Sequence, residues 1–511
     1  MIEVHYKGKD KVDTDSALYK KLHDAHLRLI KKDNTIWGSD AATEASIRMD
    51  WVDFPTESRS LLAELDALCA KHKHFSNVIL CGMGGSSLGT EVIANTFKKK
   101  LFILDSTDPN YISHALPSNL KETLVVVASK SGSTIETASQ KSFFENLFEK
   151  AGLSATEHII IVTDPLSPLD TSSQESGFTV INANPRVGGR FSVLGAFGLV
   201  PAALVGIDVS VILDSAADAK DSLLKNPHPA LTAAYAIING TEQYFSLTDE
   251  DSQMPGLSDW IEQLIAESTG KNGVGRLPIV LEKSIDLIAG DHLSVSFSEN
   301  SDLVIAGDLG SQFFFWQWVT ALICAGLGVD PFNQPNVQES KEASGSLLDQ
   351  WDNTLPALGS HDVDASIAYF ESCENSSDLL STFLQGIAND GYLGVLAYLD
   401  RQDDVEIKEL RNILASRILK PVTFGWGPRF LHSTGQFHKG GQSNGSFLQI
   451  TAENRTDYEI SGKKFTFGTL IMAQAIGDKN ALESRGIRTL RLHLMDRAVG
   501  IKQLLEIARK F

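Results

Sequence analysis

The sequence is poor in cysteine and in positive charge. Only four cysteines occur in 511 residues, none of them belongs to a CxxC motif, and no histidine lies beside them at the spacing of a metal site. This usage argues against a disulfide framework and is typical of the cytosol.

Lysine and arginine number 45 against 64 acidic residues, which gives a formal net charge of −19. The acidic excess argues against nucleic acids and anionic membranes as partners, whereas a small anionic substrate needs only one local positive site.

Long hydrophobic runs are also missing. The N-terminal sequence MIEVHYKGKDK contains no apolar stretch of the secretory-signal kind. The most apolar segment, residues 313–329, is shorter than the ~20 residues that cross a bilayer, and Gln317 interrupts it. We therefore predict a buried helix over this segment, and a cytoplasmic protein that does not bind membranes.

The sequence does contain short β-branched runs that alternate with helical patterns. Five of them lie in the first half of the chain: NVILC (77–81), LFILD (101–105), TLVVVAS (123–129), EHIIIVTD (157–164) and FTVIN (178–182). This alternation predicts a doubly wound parallel sheet with helices on both faces. A second, less regular alternation begins at RLPIVLE (276–282). The expected fold class is therefore α/β with two such sheets.

The length suggests roughly two to four domains, although no clear linker separates them. We place a helical segment at residues 1–70, a first α/β domain at 71–215, a second at 216–400, and a C-terminal segment at 401–511. Further helical segments are expected at the termini.

Two loops that follow predicted strands are dense in glycine and hydroxyl side chains. They are GMGGSSLG (82–89) and SKSGSTIET (129–137). Loops at the carboxyl ends of parallel strands lead into helix N-termini, whose free N–H groups bind anions. For one loop alone, helix capping by Ser and Thr is an equally good explanation. Neither loop matches GxGxxG or ends in GK[ST], so the phosphate of a small molecule fits better than NAD or ATP, and we expect no cofactor.

Three further segments contain candidate functional side chains. Glu267 ends the helical run WIEQLIAE, with Gln263 one turn earlier on the same face. Arg190 follows two glycines and precedes a strongly apolar helix, so it needs either an anionic partner or a structural carboxylate. His432 and His438 lie in a Gly-rich loop, but no carboxylate or cysteine completes a metal site there. We therefore expect no bound metal.

Together these segments resemble the phosphoglucose isomerase family. GMGGSSLG resembles the family's GIGGSxLG, and SKSGSTIET resembles SKTFTTxET. VGGRFSVLGAFGL resembles GGRFSxWSAxGL, QLIAESTGK resembles QLxMESNGK, and DPFNQPNVQESK (330–341) resembles NxFDQxGVExxK. The five segments follow the family's order. The resemblance implies two sugar-isomerase (SIS) α/β domains and a homodimer with shared active sites.

A narrower likeness is to the isomerase part of fused transaldolase–phosphoglucose isomerase proteins. It rests on GPRFLHSTGQFHKGG (427–441) and FGTLIMAQAIGD (467–478), which are typical of that subgroup. No transaldolase portion is recognised in this sequence.

The resemblance assigns roles to four catalytic candidates. Glu267 would be the base that moves a proton between C2 and C1, and Arg190 would stabilise the enediolate. Lys341 and a histidine would assist ring opening. In most family members this histidine lies between the glutamate and lysine segments, whereas here the similar segment follows Lys341. We assign the role to His438, with His432 as the alternative; the C-terminal segment would then pack on the second domain and complete the active site.

The remaining assignments concern the substrate, which the resemblance implies to be a sugar phosphate. Gln263 and Gln334 would line its site, and five residues of the two loops would hold its phosphate: Ser86, Ser129, Lys130, Ser131 and Thr134. Gly85 of the first loop is also assigned to substrate binding. The implied reaction interconverts glucose 6-phosphate and fructose 6-phosphate through a cis-enediol. The alternatives are an isomerase that also accepts mannose 6-phosphate and a non-catalytic sugar-phosphate-binding protein, which would have no use for the catalytic candidates.

Overall fold

A computed structural model describes residues 2–8, 11–240, 242–250, 252–283, 286, 292–298, 301–352, 354–359 and 361–511. The chain forms two compact units, and each is described by itself. Unit 1 comprises Met1–Asp105, Pro117–Ser284 and His292–Gln334, and unit 2 comprises Ser106–Leu116, Ile285–Asp291 and Pro335–Phe511.

The described residues contain sixteen β-strands. They are β1 Glu3–Tyr6, β2 Asn77–Gly82, β3 Phe102–Leu104, β4 Thr123–Ala128, β5 Ile159–Thr163, β6 Thr179–Asn182, β7 Tyr244–Thr248, β8 Leu277–Val280, β9 Ser294–Ser296, β10 Leu303–Ala306, β11 Asp362–Asp364, β12 Ile367–Tyr369, β13 Tyr392–Ala397, β14 Val422–Trp426, β15 Gly445–Ala452 and β16 Arg488–Leu494.

Twenty α-helices are found in the same described residues. They are α1 Ala17–Leu29, α2 Ala42–Ser46, α3 Phe54–Glu57, α4 Leu62–His72, α5 Leu88–Thr96, α6 Pro109–His114, α7 Ile135–Lys150, α8 Ala155–His158, α9 Pro168–Glu175, α10 Ala196–Leu204, α11 Ser210–Lys225, α12 His228–Asn239, α13 Leu257–Thr269, α14 Leu309–Leu327, α15 Pro335–Gln350, α16 Ser376–Gln385, α17 Glu409–Ile418, α18 Gly435–Gly440, α19 Phe467–Ser484 and α20 Arg497–Lys510. Short 3₁₀ turns connect some of them, including Gly84–Ser86 and Gly189–Phe191.

The first sheet of unit 1 is parallel throughout and has the strand order β3-β2-β4-β5-β6. Its central strands are apolar on both faces; all six residues of β4 are buried. The chain leaves β2 toward β3 on one side and then returns to β4 on the other. This reversal of direction creates a switch point between β2 and β4, where open α/β sheets bind their ligands.

The second sheet of unit 1 has the order β1-β10-β9-β7-β8 and is parallel except for β1, which pairs antiparallel with β10. Beside it, α14 is the helix expected over residues 313–329. Every residue of α14 from Leu309 to Ala325 is buried, so the prediction of a core helix is confirmed. None of the helices in the described ranges combines the length and apolarity needed to cross a membrane.

Unit 2 has its own mixed sheet and its own apolar core. The strand order is β11-β12-β16-β15-β13-β14, in which β11 and β12 are antiparallel and the other pairs are parallel. Leu393, Leu448 and Leu492 are fully buried in this core. The α/β class with parallel sheets was predicted correctly, and this third sheet goes beyond the prediction.

Residues 106–116 belong to unit 2 although they follow β3 directly in the chain. A buried arginine fixes this segment: the Arg497 guanidinium lies 2.7 Å from Asp108 and 2.9 Å from Asp404. Asp108 and Arg497 are both almost completely buried. The segment is thus held by a charge pair that water cannot replace.

Candidate active site

The two glycine- and hydroxyl-rich loops lie side by side at the switch point of the first sheet. Gly82 ends β2 and is the register partner of Ala128, which ends β4. The backbone of each loop turns at a glycine with positive φ, Gly84 at 54° and Gly132 at 75°, a conformation that other residues adopt only at a cost. The two loops are therefore neighbours because their strands are adjacent in the sheet.

Helix capping does not account for the hydroxyl groups of the second loop. Thr134 occupies the N-cap position of α7, yet its side chain accepts no hydrogen bond from that helix. The Ser129 hydroxyl accepts from the Gly132 amide at 3.2 Å, and the Ser131 and Ser133 hydroxyls lie 2.7 Å apart. The loop thus keeps its own shape through hydroxyl contacts, and the Thr134 hydroxyl is not used by the helix.

In the first loop, Ser86 is mostly buried, and Ser87, at the N-cap of α5, donates to the Gly84 carbonyl at 3.2 Å rather than capping the helix. The N-terminal N–H groups of α5 and α7 therefore receive no side-chain cap from Ser87 or Thr134. Such N–H groups bind an anion well.

Lys130 points away from the other phosphate candidates of its loop. Its ammonium forms an ion pair with Asp164, which follows β5, and donates to the Pro185 carbonyl at 3.2 Å. Burial lowers the pKa of Lys130 and raises that of Asp164, while their mutual attraction opposes both shifts. In this structure the Lys130 charge is therefore already neutralised locally.

Gly85 brings the first loop against the segment that carries Arg190. A Cβ atom at Gly85 would lie 2.2 Å from the Gly189 carbonyl oxygen and 2.6 Å from the Arg190 amide nitrogen. Only a residue without a side chain permits this approach of two backbones. The glycine thus couples the phosphate-type loop to the Arg190 segment.

Arg190 is 4% exposed, and its guanidinium has five oxygen acceptors within the same unit. They are Glu267 at 3.1 Å, the Ser268 hydroxyl at 2.9 Å, Gln334 at 3.0 Å and the carbonyls of Pro331 at 2.5 Å and Asn333 at 3.1 Å. The anionic partner that the sequence required is therefore Glu267. The planar fork of the guanidinium is fixed on several sides.

Glu267 lies near the C-terminus of α13 and is 8% exposed. One carboxylate oxygen contacts Arg190 at 3.1 Å, and the other accepts from the Gln263 amide at 3.2 Å. Residues four apart share one face of a helix, which is why Gln263 reaches Glu267 as predicted. A buried carboxylate with two fixed partners is positioned to accept a proton.

The sequence reasoning missed two residues of this cluster, Ser268 and Lys271. The Ser268 hydroxyl accepts a hydrogen bond from Arg190 at 2.9 Å. Lys271, which is 3% exposed, donates to the Ser268 carbonyl at 3.0 Å and to the Asp330 carbonyl. A signal was present: Lys271 follows Glu267 by four residues, directly after the helix.

Lys341 and His438 belong to unit 2. Lys341 is exposed on α15, and its ammonium forms no hydrogen bond or ion pair with the described residues. Two amide contacts join α15 to α18: Asn336 accepts from Gln436 at 2.7 Å and donates its backbone N–H to the same side chain at 2.9 Å. Because α18 carries His438, the two ring-opening candidates lie on neighbouring helices.

His438 is 3% exposed and lies among aromatic rings. Its Nδ1 lies 2.9 Å from the Tyr392 hydroxyl, and its ring is 4.7 Å from that of Phe447. Burial, assisted by the neighbouring Lys439 charge, holds the pKa of His438 well below its usual range. The imidazole is therefore neutral at neutral pH, whereas His432 is only half-buried.

One group of side chains in the described residues has the proximity of metal ligands, and it lies in unit 2. It consists of His114, Asp400 and Asp403. His114 Nε2 lies 2.9 Å from the fully buried Asp400 carboxylate and 3.5 Å from that of Asp403. A hydrogen bond between His114 and Asp400 accounts for this geometry, and none of the predicted site residues belongs to the group.

The part of the chain that contains Arg190 and Glu267 is similar to known proteins. Residues 59–274 match the family model of phosphoglucose isomerase. Over 220 residues the chain is 36% identical to a glucose-6-phosphate isomerase of Desulfitobacterium hafniense, covering 39% of this chain and 41% of that protein. Over 246 residues it is 32% identical to a glucose-6-phosphate isomerase of Campylobacter jejuni, covering 44% of this chain and 58% of that protein. A crystal structure of a glucose-6-phosphate isomerase from Chlamydia trachomatis has a TM-score of 0.56 at 18% identity, covering 69% of this chain and 89% of that one.

The chain spans about half the length of the curated relatives it matches. The sequence matches support a relationship of residues 59–274 to the phosphoglucose isomerase family, and this range contains Gly85, Arg190 and Glu267. The likeness to the solved structure shows a shared fold and agrees with the predicted α/β class. Lys341 and His438 lie outside the range matched by the family model.

Proposed function

We propose that the protein catalyses the reversible isomerisation of glucose 6-phosphate and fructose 6-phosphate. The observation that carries the proposal is the Glu267 carboxylate, buried between Arg190 and Gln263 in the part of the chain that matches the isomerase family. A carboxylate in this position can take a proton from C2 of the open-chain aldose and return it to C1. The intermediate is a cis-enediol, and the product is the ketose.

Arg190 supplies the positive charge for this step. When the proton leaves C2, negative charge develops on the enediolate oxygens, and guanidinium N–H groups suit the stabilisation of such charge. The other acceptors of Arg190 hold it in place before the reaction. Together with Glu267 they engage all five guanidinium N–H groups, so the fixed positive charge, or one N–H group released from a neutral acceptor, would stabilise the enediolate.

The 6-phosphate is assigned to the two loops at the switch point. Helix N–H groups and the hydroxyls of Ser86, Ser129, Ser131 and Thr134 would hold it. Gly85 permits the close packing of the first loop. We still assign Lys130 to the phosphate site as a positively charged neighbour of the phosphate, although its ammonium already pairs with Asp164.

Gln263 and Gln334 are assigned to the lining of the sugar site. Each contacts one of the two charged residues, Gln263 with Glu267 and Gln334 with Arg190. Amide groups here would orient sugar hydroxyls relative to the reacting carbons.

Ring opening is assigned to Lys341 and His438. The ring oxygen must gain a proton while the hydroxyl on C1 loses one. An exposed lysine ammonium is a proton donor, and a neutral imidazole is a proton acceptor, so Lys341 would protonate the ring oxygen and His438 would accept the hydroxyl proton. His432 is the alternative acceptor.

The test is a coupled assay of fructose 6-phosphate isomerisation with the wild type and Glu267→Gln, together with an NMR measurement of deuterium incorporation at C2 in D₂O. Glutamine keeps the shape but cannot take the proton, so turnover should fall by roughly 10³-fold or more while the substrate still binds. The matched control is Asp259→Asn, which removes an exposed carboxylate from the same helix. Equal turnover of Glu267→Gln and wild type would remove Glu267 from the base role. Substrate binding by a wild type without turnover would favour the non-catalytic alternative.

Three finer assignments complete the proposal. We propose a cytoplasmic homodimer with shared active sites, related to the isomerase part of fused transaldolase–isomerase proteins. Support comes from the segments 427–441 and 467–478 and from four cysteines without disulfides. Light scattering of the purified protein tests the dimer, and a monomer with full activity would contradict shared sites. Assays with mannose 6-phosphate test broader specificity.

A further inference from the structure

Lys271 is a buried ammonium group that the proposed reaction does not use. It is 3% exposed and follows α13 by two residues. Its backbone forms a tight pair of hydrogen bonds with Val274, at 3.1 Å and 3.0 Å. Burying a lysine costs free energy unless its ammonium is hydrogen-bonded, so its contacts should identify what it does.

The ammonium joins two chain segments that both contact Arg190. It donates to the carbonyl of Ser268, next to Glu267, and to the carbonyl of Asp330. Arg190 binds the Ser268 hydroxyl and the carbonyl of Pro331, next to Asp330. Two cations therefore connect the same pair of segments, the end of α13 and residues 330–334.

The chemistry of a helix C-terminus explains why basic side chains bind at the end of α13. The last carbonyls of a helix have no partner within it and carry partial negative charge. Lys271 satisfies the Ser268 carbonyl, which also accepts a weak hydrogen bond from the Cys324 thiol at 3.4 Å. Without the Lys271 side chain, the Asp330 carbonyl would lose this donor, and among the side-chain hydrogen bonds of the described residues those of Arg190 would remain to join the end of α13 to residues 330–334.

We infer that Lys271 is a positioning residue for the Glu267 carboxylate: it holds the end of α13 against residues 330–334 so that Glu267 and Arg190 keep their mutual geometry. This inference rests on the proposed isomerase function.

The charge balance around Lys271 agrees with this role. Burial lowers the pKa of Lys271 to about 7, and the nearby Arg190 acts in the same direction. Glu267, Asp330 and Cys324 oppose the shift. At neutral pH the amine is therefore only partly protonated, and both its charged and its neutral form can donate the hydrogen bonds to the Ser268 and Asp330 carbonyls.

The test uses glucose 6-phosphate labelled with deuterium at C2. Glu267 takes the deuteron from C2 and either delivers it to C1 or loses it to water, so the fraction retained in fructose 6-phosphate reports the position of the carboxylate. This fraction does not depend on how much of the enzyme is folded.

For Lys271→Met we expect a smaller retained fraction and a kcat reduced by roughly 10–100-fold, with KM changed less than about threefold because the phosphate loops are untouched. If the methionine variant does not fold, the polar variant Lys271→Gln takes its place. Its retained fraction and its kcat should also fall. The matched control is Lys220→Met, which removes a lysine paired with Asp53 in the same unit and should leave the retained fraction unchanged.

Wild-type retention and kcat in either folded Lys271 variant would overturn the inference while leaving the proposed function intact. A change of equal size in Lys220→Met would also overturn it, because the effect would then not be specific to Lys271. A wild type that does not isomerise the labelled sugar would overturn the proposed function, and this inference with it.

Discussion

Substitution of Gly85 by alanine should damage activity although alanine adds a single methyl group. The new Cβ would lie 2.2 Å from the carbonyl oxygen and 2.3 Å from the carbonyl carbon of Gly189, and 2.6 Å from the Arg190 amide nitrogen. Comfortable contacts between carbon atoms lie at about 3.5–4.0 Å. All three neighbours are backbone atoms, so no side chain can rotate away, and the two segments must separate by about 1 Å.

That separation has two measurable effects. Forcing an extra carbon into a packed place typically costs about 1–3 kcal/mol of stability. A displacement of about 1 Å at a catalytic group can lower the rate by roughly 100-fold, and the displaced backbone is that of Arg190, for which we propose a catalytic role. We expect Gly85→Ala to show a lower melting temperature and a kcat/KM reduced by one to two orders of magnitude in the coupled isomerase assay.

Gly188→Ala is the matched control for stability, because its Cβ would have no heavy atom within 4 Å and its φ is −70°. Its melting temperature should equal that of the wild type. If Gly85→Ala melts and turns over like the wild type, the contact between the first loop and the Arg190 segment is not tight, and the coupling inferred from it is wrong.

Four further predictions concern single side chains. Arg190→Lys keeps the charge but loses the fork that reaches five acceptors, so kcat/KM should fall by roughly 100-fold; an unchanged value would show that charge alone suffices. Thr134→Val keeps the shape but removes a hydroxyl, so KM should rise by about tenfold with unchanged circular dichroism; an equal KM would exclude this hydroxyl from the phosphate site. His438→Ala should slow ring-closed substrate more than open-chain substrate in stopped-flow assays, and equal slowing would refute its ring-opening role. His26→Gln should flatten the acid dependence of unfolding, and a curve parallel to that of the wild type would show that His26 does not contribute to this dependence.

The prediction for His26 follows from its buried contact. Its Nδ1 accepts a hydrogen bond from the Trp318 indole at 3.1 Å, and burial lowers its pKa to about 4. The unfolded chain, with a usual pKa near 6.5, binds more protons below that pH. The free energy of unfolding therefore decreases as the pH falls, by about 2 kcal/mol between pH 6.5 and 4.5. Thermal melts across this range, compared between wild type and variant, measure the difference.

The parts of the fold that depend on local pattern were predictable from the sequence. Buried strands of a parallel sheet occur in the sequence as continuous runs of β-branched residues, so β4 and β5 could be predicted from it. The spacing of four residues between Gln263 and Glu267 places both on one helical face, and the structure shows their contact. A charged residue beside an apolar helix requires a partner, and Arg190 has one in Glu267.

The parts that depend on distant segments were not predictable. Nothing near Lys130 in the sequence indicates that its ammonium pairs with Asp164 at the end of the next strand. The environment of His438, which lies on α18, depends on Tyr392 of β13 and Phe447 of β15. Lys271 was missed because its acceptors are backbone carbonyls, which every residue possesses and no sequence pattern marks.

The buried ion pair between Asp108 and Arg497 sets an order of events during synthesis. The two residues are 389 positions apart, so a ribosome adding about 5–20 residues per second makes the second roughly 20–80 s after the first. Strands β2 to β6 are complete long before that, but residues 106–116 wait for their partner. A chain fragment that starts at Pro335 would keep the contact of Arg497 with Asp404 but would lack Asp108, and the loss of one partner of a buried charge is destabilising. Unit 2 therefore cannot form this ion pair until the chain has been synthesised as far as Arg497.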